Sequence, residues 1–374
     1  MTKKVLYTYF KNITCSFTLV SQKHLEYLSK IPEIEVVSFD AEYFPYLNPR
    51  EKYIVVLHPW IGIWSRFLSY LEDTRKRFYT YMEMNRLKWN KLVGFDVCDS
   101  DKISDQAVQV LNQADKIIVP SSFCREVFEK SGVKTKIFRI PHGVDPDWYT
   151  TPSVMETGPL KPISTAVATV YFYKFKTNSK MLLFYLWHSS LRKGLEEVIE
   201  VYKKLASERD DVFLVIKTST KDQPGIDLVR EQIGDKRVIQ IYGWISDYEK
   251  IALYDAADIV LGFTRGGSFE LNFLESLARG IPVVTSDWGP WTEYVPRFLQ
   301  AKRGERVRVL PESTIHIGYG YKVDVEDALN KIHDILENYE DYKARVEEWR
   351  RKVLMNEYRW DIIAEKIVEV IKEE

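Results

Sequence analysis

Cysteine is scarce in this chain of 374 residues, which contains only three. Cys15, Cys98 and Cys124 lie far apart in the sequence. An odd number of scattered cysteines fits neither a disulfide framework nor the paired cysteines of a zinc site. We therefore expect a protein of a reducing, cytoplasmic compartment, without a bound metal.

Net charge is also nearly absent, because 53 Lys and Arg residues face 54 Asp and Glu residues and the formal net charge is −1. Such a balance provides no overall field toward nucleic acid or an anionic membrane. We therefore expect no nucleic-acid partner.

Long apolar runs are missing as well. The longest, residues 53–64, is interrupted by His58, Pro59 and Gly62 and is too short to span a bilayer. The first residues alternate apolar and polar side chains and lack the features of a signal peptide. The sequence predicts no transmembrane segment and no secretory leader.

Short β-branched runs alternate with helical patterns along both halves of the chain. Parallel strands need crossovers of a dozen or more residues, which helices supply. At about 150 residues per domain, the length predicts two domains. We expect an α/β fold of two doubly wound, Rossmann-like domains, residues 1–155 and 156–356, because prolines and glycines cluster at residues 152–162.

Two other segments carry a pattern. Residues 164–173 are rich in β-branched and aromatic residues, which is compatible with an extra strand in either domain. Near the end of the chain, Trp360, Ile363, Ile367 and Ile371 recur at spacings of three and four. This spacing predicts an amphipathic helix that needs a surface to dock on.

The first candidate ligand site follows the predicted strand at residues 259–263, since ligands of open α/β sheets collect at the carboxyl ends of strands. There the chain runs into Arg265-Gly266-Gly267, and we expect a helix with Ser268 as its N-cap. Two glycines let a phosphate approach the backbone, and the free N–H groups and positive end of a helix would face it. The block predicts an anion site.

Glu275 shares one stripe of that helix with Leu271, Leu274 and Ala278. A buried carboxylate needs a partner, because an unpaired buried charge is strongly destabilising. Ribose hydroxyls would satisfy it, and a salt bridge to a neighbouring Arg or Lys is an equal alternative.

A second block follows the predicted strand at residues 182–187. It contains His188, Arg192, Lys193 and Gly194 and leads into an amphipathic helical pattern. Cations that precede a helix can neutralise a diphosphate. The alternative is a solvated lysine, which is the commoner role of a lysine near a helix start.

Five blocks in sequence order resemble the group 1 (family 4) retaining glycosyltransferases of the GT-B fold. They read "VPSSFCREVF", "IPHGVD", "SLRKGLEEVIEVYKKL", "YGWISDYEKIALYDAADIVL" and "GGSFELNFLESLARGIPVVTSDWG". The resemblance implies two domains facing a cleft, with a C-terminal helix, about residues 357–374, crossing back to the N-terminal domain. It also implies a nucleotide diphosphate sugar donor on the C-terminal domain and an acceptor mostly on the N-terminal domain.

The resemblance further implies roles for residues of the donor site. Glu275 would hold the ribose and Lys193 the diphosphate. The amides of Gly266 and Gly267 would hold the distal phosphate or the sugar, and the base would lie against Gly243, Trp244 and Ile245. Such enzymes usually need no metal and no cofactor besides the donor, because cations and helix ends stabilise the departing diphosphate.

Two donor-site positions depart from the family pattern. Gly267 stands where the family has a glutamate that meets the donor sugar, and Glu270 is a nearby substitute. His188 stands where the family has a phosphate-binding arginine, which leaves Arg192 or Arg265 as the second cation.

The N-terminal half lacks the glycine-rich loop that the family has after its first strand, at residues 10–15 of this chain. Its candidate catalytic residues follow other predicted strands. Asp96 and Asp99 end the strand at residues 91–97. We expect Asp99 first, and Asp96 second, to be the acceptor-side carboxylate, with a helix cap or turn as an equal alternative. His58 also follows a strand, although a structural turn histidine is the more frequent role.

Residues 66–91 combine seven basic and three acidic residues with several aromatic rings. A basic, aromatic helix can lie on a membrane surface, which would suit a lipid-linked acceptor. A core-facing helix with a solvated face is the commoner alternative.

Together these expectations describe a retaining, hexosyltransferase-type glycosyltransferase. It would move a sugar from a nucleotide diphosphate such as UDP or GDP to a saccharide, glycolipid or glycoprotein glycan, in the cytoplasm or at the membrane periphery. Two alternatives stay open: a non-catalytic sugar-nucleotide-binding subunit, suggested by Gly267 and His188, and a sugar-nucleotide epimerase. The oligomeric state is also open.

Overall fold

The structure, a computed structural model, describes residues 2–47, 51–69, 89–187, 191–234 and 237–373. They form two compact units. The N-terminal unit comprises Met1–Gly143, Glu312–Ile317 and Tyr358–Glu374, and the C-terminal unit comprises Val144–Pro311 and Gly318–Glu357. The first break follows Gly143, whereas the sequence-based boundary lies between residues 155 and 156.

The N-terminal unit is built on a parallel sheet. Its strands are β1 (Lys3–Tyr9), β2 (Ile34–Asp40), β3 (Ile54–Leu57), β4 (Lys91–Phe95), β5 (Lys116–Val119) and β6 (Lys136–Arg139). They pair in the order β2-β1-β3-β4-β5-β6, and every pair is parallel. The described helices of residues 1–143 are Ser16–Leu28, Trp60–Ser69, Asp105–Leu111 and Ser122–Ser131, with a 3-10 helix at Ala41–Tyr46. Because both faces of the sheet are covered, β3 is apolar and buried at every position.

The last helix, Trp360–Lys372, is part of the N-terminal unit. It packs against the helix Ser16–Leu28 through an apolar stripe that is buried. Near its end, the carbonyl oxygen of Val370 accepts a hydrogen bond of 3.1 Å from the buried Lys116 Nζ, a cation at the negative end of the helix. The predicted helix that crosses back to the N-terminal domain is therefore confirmed.

The C-terminal unit has its own parallel sheet. Its strands are β7 (Lys180–Leu186), β8 (Val212–Thr218), β9 (Val238–Tyr242), β10 (Ile259–Gly262), β11 (Val283–Ser286) and β12 (Gln300–Ala301). They pair in parallel in the order β12-β11-β10-β7-β8-β9. The chain moves outward from β7 to β9 and then returns to β10 on the other side of β7. The carboxyl ends of β7 and β10 therefore form the switch point at which such sheets bind ligands.

A separate antiparallel pair, β13 (Arg303–Arg308) and β14 (Tyr319–Val323), lies beyond the sheet in the sequence. The described helices of the C-terminal unit are Asp147–Thr150, Val154–Thr157, Thr165–Thr177, Leu195–Glu208, Ile226–Ile233, Asp247–Ala256, Leu271–Ala278, Val325–Glu337, Tyr339–Trp349 and Met355–Glu357, with 3-10 turns at Pro290–Glu293 and Arg297–Leu299 and a π-helix at Arg350–Leu354. Across the described ranges, no helix has the length and apolar character needed to cross a membrane. The predicted fold of two doubly wound, Rossmann-like domains is confirmed.

The extra strand considered for residues 164–173 is wrong, because these residues form the helix Thr165–Thr177. Val167 and Val170, three residues apart, are fully buried, and Val167 packs with Ala252 of the helix Asp247–Ala256. Tyr171 donates a hydrogen bond of 2.6 Å to the carbonyl oxygen of Ala252. Burial of one helical stripe against a neighbouring helix thus overrides the β preference of these residues.

Gly194 fixes the loop that follows β7 to the end of β10. Its φ is +75°, a left-handed conformation that favours glycine, and a Cβ there would collide with the carbonyl oxygen of Phe263. The same two loops are also joined by a backbone hydrogen bond, in which the Arg265 amide donates to the Arg192 carbonyl oxygen over 2.8 Å. Residues 192–194 of the first loop are therefore held against residues 263–265 of the second.

We predict that Gly194→Ala destabilises the protein more than Gly132→Ala. Both glycines adopt the left-handed helical conformation, with φ and ψ of +75° and 33° at Gly194 and +106° and 15° at Gly132, but a Cβ built on Gly132 meets only Val108 Cγ1, at an ordinary contact distance of 3.9 Å. Gly132→Ala should cost only the left-handed strain, ~1–2 kcal/mol, whereas Gly194→Ala should cost about 1–3 kcal/mol more, because the backbone must also shift. Urea unfolding measures both; equal losses would show that the close approach to Phe263 is unimportant.

Candidate active site

The loop after β10 carries the predicted anion site. The helix that follows it is Leu271–Ala278, and its N-cap position is Glu270, in the left-handed conformation with φ +68°. The expected cap at Ser268 is therefore wrong, because Phe269 and Glu270 still belong to the loop and the helix begins at Leu271. The Glu270 side chain contacts residues of the loop after β7.

Lys193, Arg192 and Glu270 meet at this loop. The Lys193 Nζ lies 2.5 Å from Glu270 Oε2 and the Arg192 Nη1 lies 3.4 Å from Glu270 Oε1. The Glu270 side chain is only 5% exposed, and Arg192 also donates to the Gly266 carbonyl oxygen over 3.0 Å. Two cations and one carboxylate thus share a site that is largely shielded from water, where electrostatic interactions are strong.

Gly267 makes room for this arrangement. A Cβ at position 267 would lie 2.6 Å from Glu270 Oε1 and 3.4 Å from Arg192 Nη1. Any side chain at this position would displace the ion-paired groups. The carboxylate of Glu270 therefore occupies space next to position 267, where the family pattern has its own glutamate.

Arg265 is engaged elsewhere. Its Nε and Nη2 atoms bond both carboxylate oxygens of Glu197 at 2.7–3.2 Å, and Nη2 also bonds Glu196 at 2.6 Å. Arg265 is 6% exposed and Glu197 4% exposed. Of the two arginines that the sequence offers as a second cation, Arg192 is the one beside Lys193.

Glu275 is buried on the same helix but pairs with a different lysine. Its Oε1 forms a salt bridge with Lys250, and its Oε2 accepts a hydrogen bond of 2.8 Å from the Tyr254 hydroxyl. The salt bridge that the sequence left as an alternative is therefore present. The contact with ribose stays a prediction.

The loop after β9 holds the residues expected to meet the base. Gly243 has φ +83°, and Trp244, which is 56% exposed, packs edge-on against Trp187 with ring centroids 5.1 Å apart. Ile245 beside them is partly buried. An exposed tryptophan supported by a second indole is a suitable surface for a planar ligand.

Lys217, which the sequence analysis does not identify, lies beneath this loop. Its Nζ donates to the carbonyl oxygens of Thr218, at 2.9 Å, and Gly243. Burial, and then the charge of Lys250, lower the pKa of Lys217 to about 8. A lysine at the end of the otherwise apolar run of β8 is the sequence signal that could have indicated it.

In the N-terminal unit, Asp96 caps a helix. Its carboxylate accepts hydrogen bonds from the amides of Ile61, in the first turn of the helix Trp60–Ser69, and of Val97. Burial raises the pKa of Asp96 to about 7, although both amides oppose this shift. The helix-cap alternative is present for Asp96. The half-buried Asp99 donates its amide to His316 Nδ1 over 3.3 Å.

His58 lies inside a polar cluster with the buried Tyr7, Ser21 and His24 and the partly buried His142. Its Nδ1 is 2.9 Å from the Tyr7 hydroxyl and 3.0 Å from Ser21 Oγ, while the Tyr7 hydroxyl is also 2.7 Å from His24 Nδ1. Burial lowers the pKa of His58 and of His142 to about 3 and lowers that of His24 strongly. These side chains are neutral components of the core at neutral pH.

Two sequence-based predictions fall outside the described residues. These are His188 and the greater part of the basic, aromatic segment at residues 66–91. In the part of the chain that the structure covers, no three His, Cys, Asp or Glu side chains are grouped so that they could hold a metal ion.

Comparison with known proteins points to one family. Residues 172–301 match the model of the family described as glycosyl transferases group 1. The chain is 27% identical, over 100% of its length and 99% of the relative, to protein 356 of Sulfolobus islandicus rod-shaped virus 1, which is uncharacterized. The predicted resemblance to group 1 glycosyltransferases is confirmed.

Solved structures share the fold. The chain is similar to Anabaena HepE in complex with UDP and glucose, with a TM-score of 0.69, 13% identity and 99% of each chain covered. It is also similar to sucrose-phosphate synthase from Thermosynechococcus elongatus, with a TM-score of 0.68, 15% identity and 98% of each chain covered. The fold is of the GT-B type, and the comparisons together support a glycosyltransferase of the group 1 type.

We predict that acid destabilises the protein through its buried histidines. Their pKa values are lower in the folded chain than the unfolded value of about 6.5, so stability is lost as pH falls from about 6.5 toward 3. Asp96 has the opposite effect, because its raised pKa makes its contribution to the free energy of unfolding fall as pH rises from about 4 to 7. We expect the combined effect of the three histidines on stability to exceed that of this one carboxyl group.

The check is the free energy of urea unfolding at pH 7, 6, 5 and 4 for the wild type and His58→Gln. Removing one buried histidine should reduce the slope by about one proton, or ~1.4 kcal/mol per pH unit. Identical slopes would contradict the assignment.

Proposed function

We propose that the protein transfers a sugar from a nucleoside diphosphate sugar to a hydroxyl group of an acceptor, with retention of the anomeric configuration. The observation that carries this proposal is the meeting of Lys193, Arg192 and Glu270 above the Gly266-Gly267 loop, at the ligand-binding edge of the C-terminal sheet. Phosphates and sugar hydroxyls are the ligands that this set of groups would bind.

The cations and the helix Leu271–Ala278 would hold the diphosphate. Lys193 and Arg192 supply positive charge, and the amides of Gly266 and Gly267 and the positive end of the helix add donors. These groups stabilise the negative charge that develops as the diphosphate leaves. The proposed reaction therefore uses protein cations in place of a metal and needs no cofactor besides the donor.

Glu270 would hold the donor sugar. Its carboxylate lies next to position 267, where the family pattern has the sugar-binding glutamate, and it is close to both proposed phosphate-binding cations. When a diphosphate takes over Lys193 and Arg192, the carboxylate becomes able to accept hydrogen bonds from sugar hydroxyls. The left-handed backbone of Glu270 thus compensates for Gly267.

Glu275 and the loop after β9 would hold the nucleoside. The ribose hydroxyls would compete with Lys250 and Tyr254 for the Glu275 carboxylate, and the base would lie against Gly243, Trp244 and Ile245. Because the solved Anabaena neighbour contains UDP and glucose, a uridine diphosphate sugar is the first donor to test, ahead of GDP sugars.

On the acceptor side we propose Asp99 before Asp96, because Asp96 is committed to capping a helix. The acceptor hydroxyl attacks the anomeric carbon from the face that the diphosphate leaves, and a phosphate oxygen takes the proton. The protein then contributes positioning and charge stabilisation. A cytoplasmic location suits the free cysteines of the described chain.

The test is a thermal-shift series with UDP, GDP and ADP sugars, followed by NMR detection of transfer to saccharide and lipid-linked acceptors. A bound donor raises the melting temperature by mass action, and an α-linked donor should yield an α-linked product. Binding without turnover would favour a non-catalytic subunit, and donor conversion without acceptor an epimerase. The proposal would be overturned if none of the UDP, GDP and ADP sugars bound to the protein.

We predict that Lys193→Gln lowers the affinity for nucleoside diphosphates about tenfold and the affinity for nucleoside monophosphates much less. The reason is that one charge-assisted contact to the distal phosphate is lost. The matched control is Lys174→Gln. Lys174 is also 13% exposed and ion-paired, with Asp258 at the amino end of β10. Calorimetry of the wild type and the two variants with both ligands measures the six affinities. Equal losses for the two ligands in Lys193→Gln would show that Lys193 does not contact the distal phosphate.

Glu270→Gln should separate binding from chemistry. Removing the carboxylate frees Lys193 and Arg192, so the affinity for a nucleoside diphosphate should rise severalfold, while sugar transfer should fall about a hundredfold. Asp258→Asn, which removes a buried carboxylate at the opposite edge of the sheet, serves as the control. Unchanged transfer by the Glu270 variant would exclude its role in binding the donor sugar.

A further inference from the structure

Lys217, beneath the loop after β9, is a buried cation whose partners are uncharged. The residue is only 2% exposed, and its Nζ donates hydrogen bonds to the carbonyl oxygens of Thr218 and Gly243. The centroid of the Trp187 ring lies 5.6 Å from the same atom, within the range of a cation–π interaction. Among the described residues, the only charged side chain that affects the pKa of Lys217 is Lys250, which is also a cation. With a pKa of about 8, Lys217 is mostly protonated at neutral pH.

Other shielded lysines of the described chain have carboxylate partners. The side chains of Lys116 and Lys174 are 6% and 13% exposed, and they pair with Glu373 and Asp258. A buried ammonium group that lacks such a partner lowers the stability of the folded chain. Natural proteins retain unfavourable local arrangements chiefly at functional sites. The environment of Lys217 therefore indicates a role in ligand binding.

The backbone of the loop after β9 is polarised by this lysine. The Gly243 carbonyl oxygen is engaged by the ammonium group, and the Gly243 amide donates to the Ser219 carbonyl oxygen over 3.1 Å. The next two amides, of Trp244 and Ile245, donate no hydrogen bond within the described part of the chain. A ligand at this loop therefore meets N–H donors and a positive charge, which is effective because the surroundings are shielded from water.

Uracil and cytosine are pyrimidines of the same size that differ at C4. Uracil carries a keto oxygen there, which accepts hydrogen bonds, whereas cytosine carries an amino group, which donates them. A positive charge and N–H donors attract the keto oxygen and oppose the approach of the amino group. The environment of the loop therefore favours uracil.

We propose that Lys217 is a specificity-determining residue, through which the loop after β9 selects a uracil nucleotide over a cytosine nucleotide. This inference rests on the proposed function, which places the base against Gly243, Trp244 and Ile245. Lys217 acts through its positive charge and through its hold on the Gly243 carbonyl group.

The experiment is calorimetry of the intact protein with UDP and CDP. The wild type should bind UDP at least tenfold more tightly than CDP. Lys217→Met keeps an unbranched side chain but removes the charge, so the preference for UDP should fall to threefold or less. Lys217→Gln, which keeps N–H donors without the charge, should have the same effect and replaces Lys217→Met if that variant does not fold.

The matched control is Lys174→Met. Lys174 also donates to a backbone carbonyl oxygen, that of Ala256, over 2.8 Å, but it has a carboxylate partner, Asp258. This variant should keep the full preference for UDP. The same loss of preference in Lys174→Met as in Lys217→Met would show a general effect on stability and would overturn the proposal.

Equal affinities of the wild type for UDP and CDP, or an unchanged preference in the Lys217 variants, would also overturn the proposal. GDP and ADP are measured in parallel. Tighter binding of CDP, GDP or ADP than of UDP would contradict the role of Lys217 and leave the proposed sugar transfer standing. Failure of all four nucleotides to bind would refute the proposed donor site itself, and the role of Lys217 with it.

Discussion

The candidate site depends on one buried ion cluster, in which Glu270 is shared by Lys193 and Arg192. Buried charges are tolerated only when they are paired, so this cluster determines the local backbone. Gly267 has no side chain because the carboxylate needs the space, and Glu270 adopts a left-handed conformation to reach the cations. In the proposed function, a diphosphate would replace the carboxylate as the partner of the cations, and the structural cluster would become a binding site.

Much of the fold could be predicted because it follows from local patterns. The alternation of strands and helices predicts two parallel sheets, and the spacing of Trp360, Ile363 and Ile367 predicts the returning helix. The prediction fails where contacts between distant segments determine the secondary structure. Val167 and Val170 favour a strand by composition, yet both are buried on one stripe of a helix, and Val167 packs against a neighbouring helix. The helix after β10 begins only at Leu271, beyond Ser268.

The sequence predicts which residues of the candidate site lie at the same edge of the sheet, but not which carboxylates and cations form ion pairs. Lys193, Gly266 and Gly267 follow strands of one sheet, so the sequence places them at one edge. Which carboxylate meets which cation depends on contacts between distant segments: Arg265 with Glu197, Glu275 with Lys250, Glu270 with Lys193. Lys217 and His24 escape notice because a single polar residue in an apolar pattern does not reveal its partners.

The most direct test of this account is a crystal structure of the protein with a bound nucleoside diphosphate. The account predicts that the distal phosphate lies within hydrogen-bond distance of Lys193 Nζ and of the amides of Gly266 and Gly267, with the Glu270 carboxylate displaced from Lys193. Phosphates bound at another place, with the pair of Lys193 and Glu270 unchanged, would contradict it.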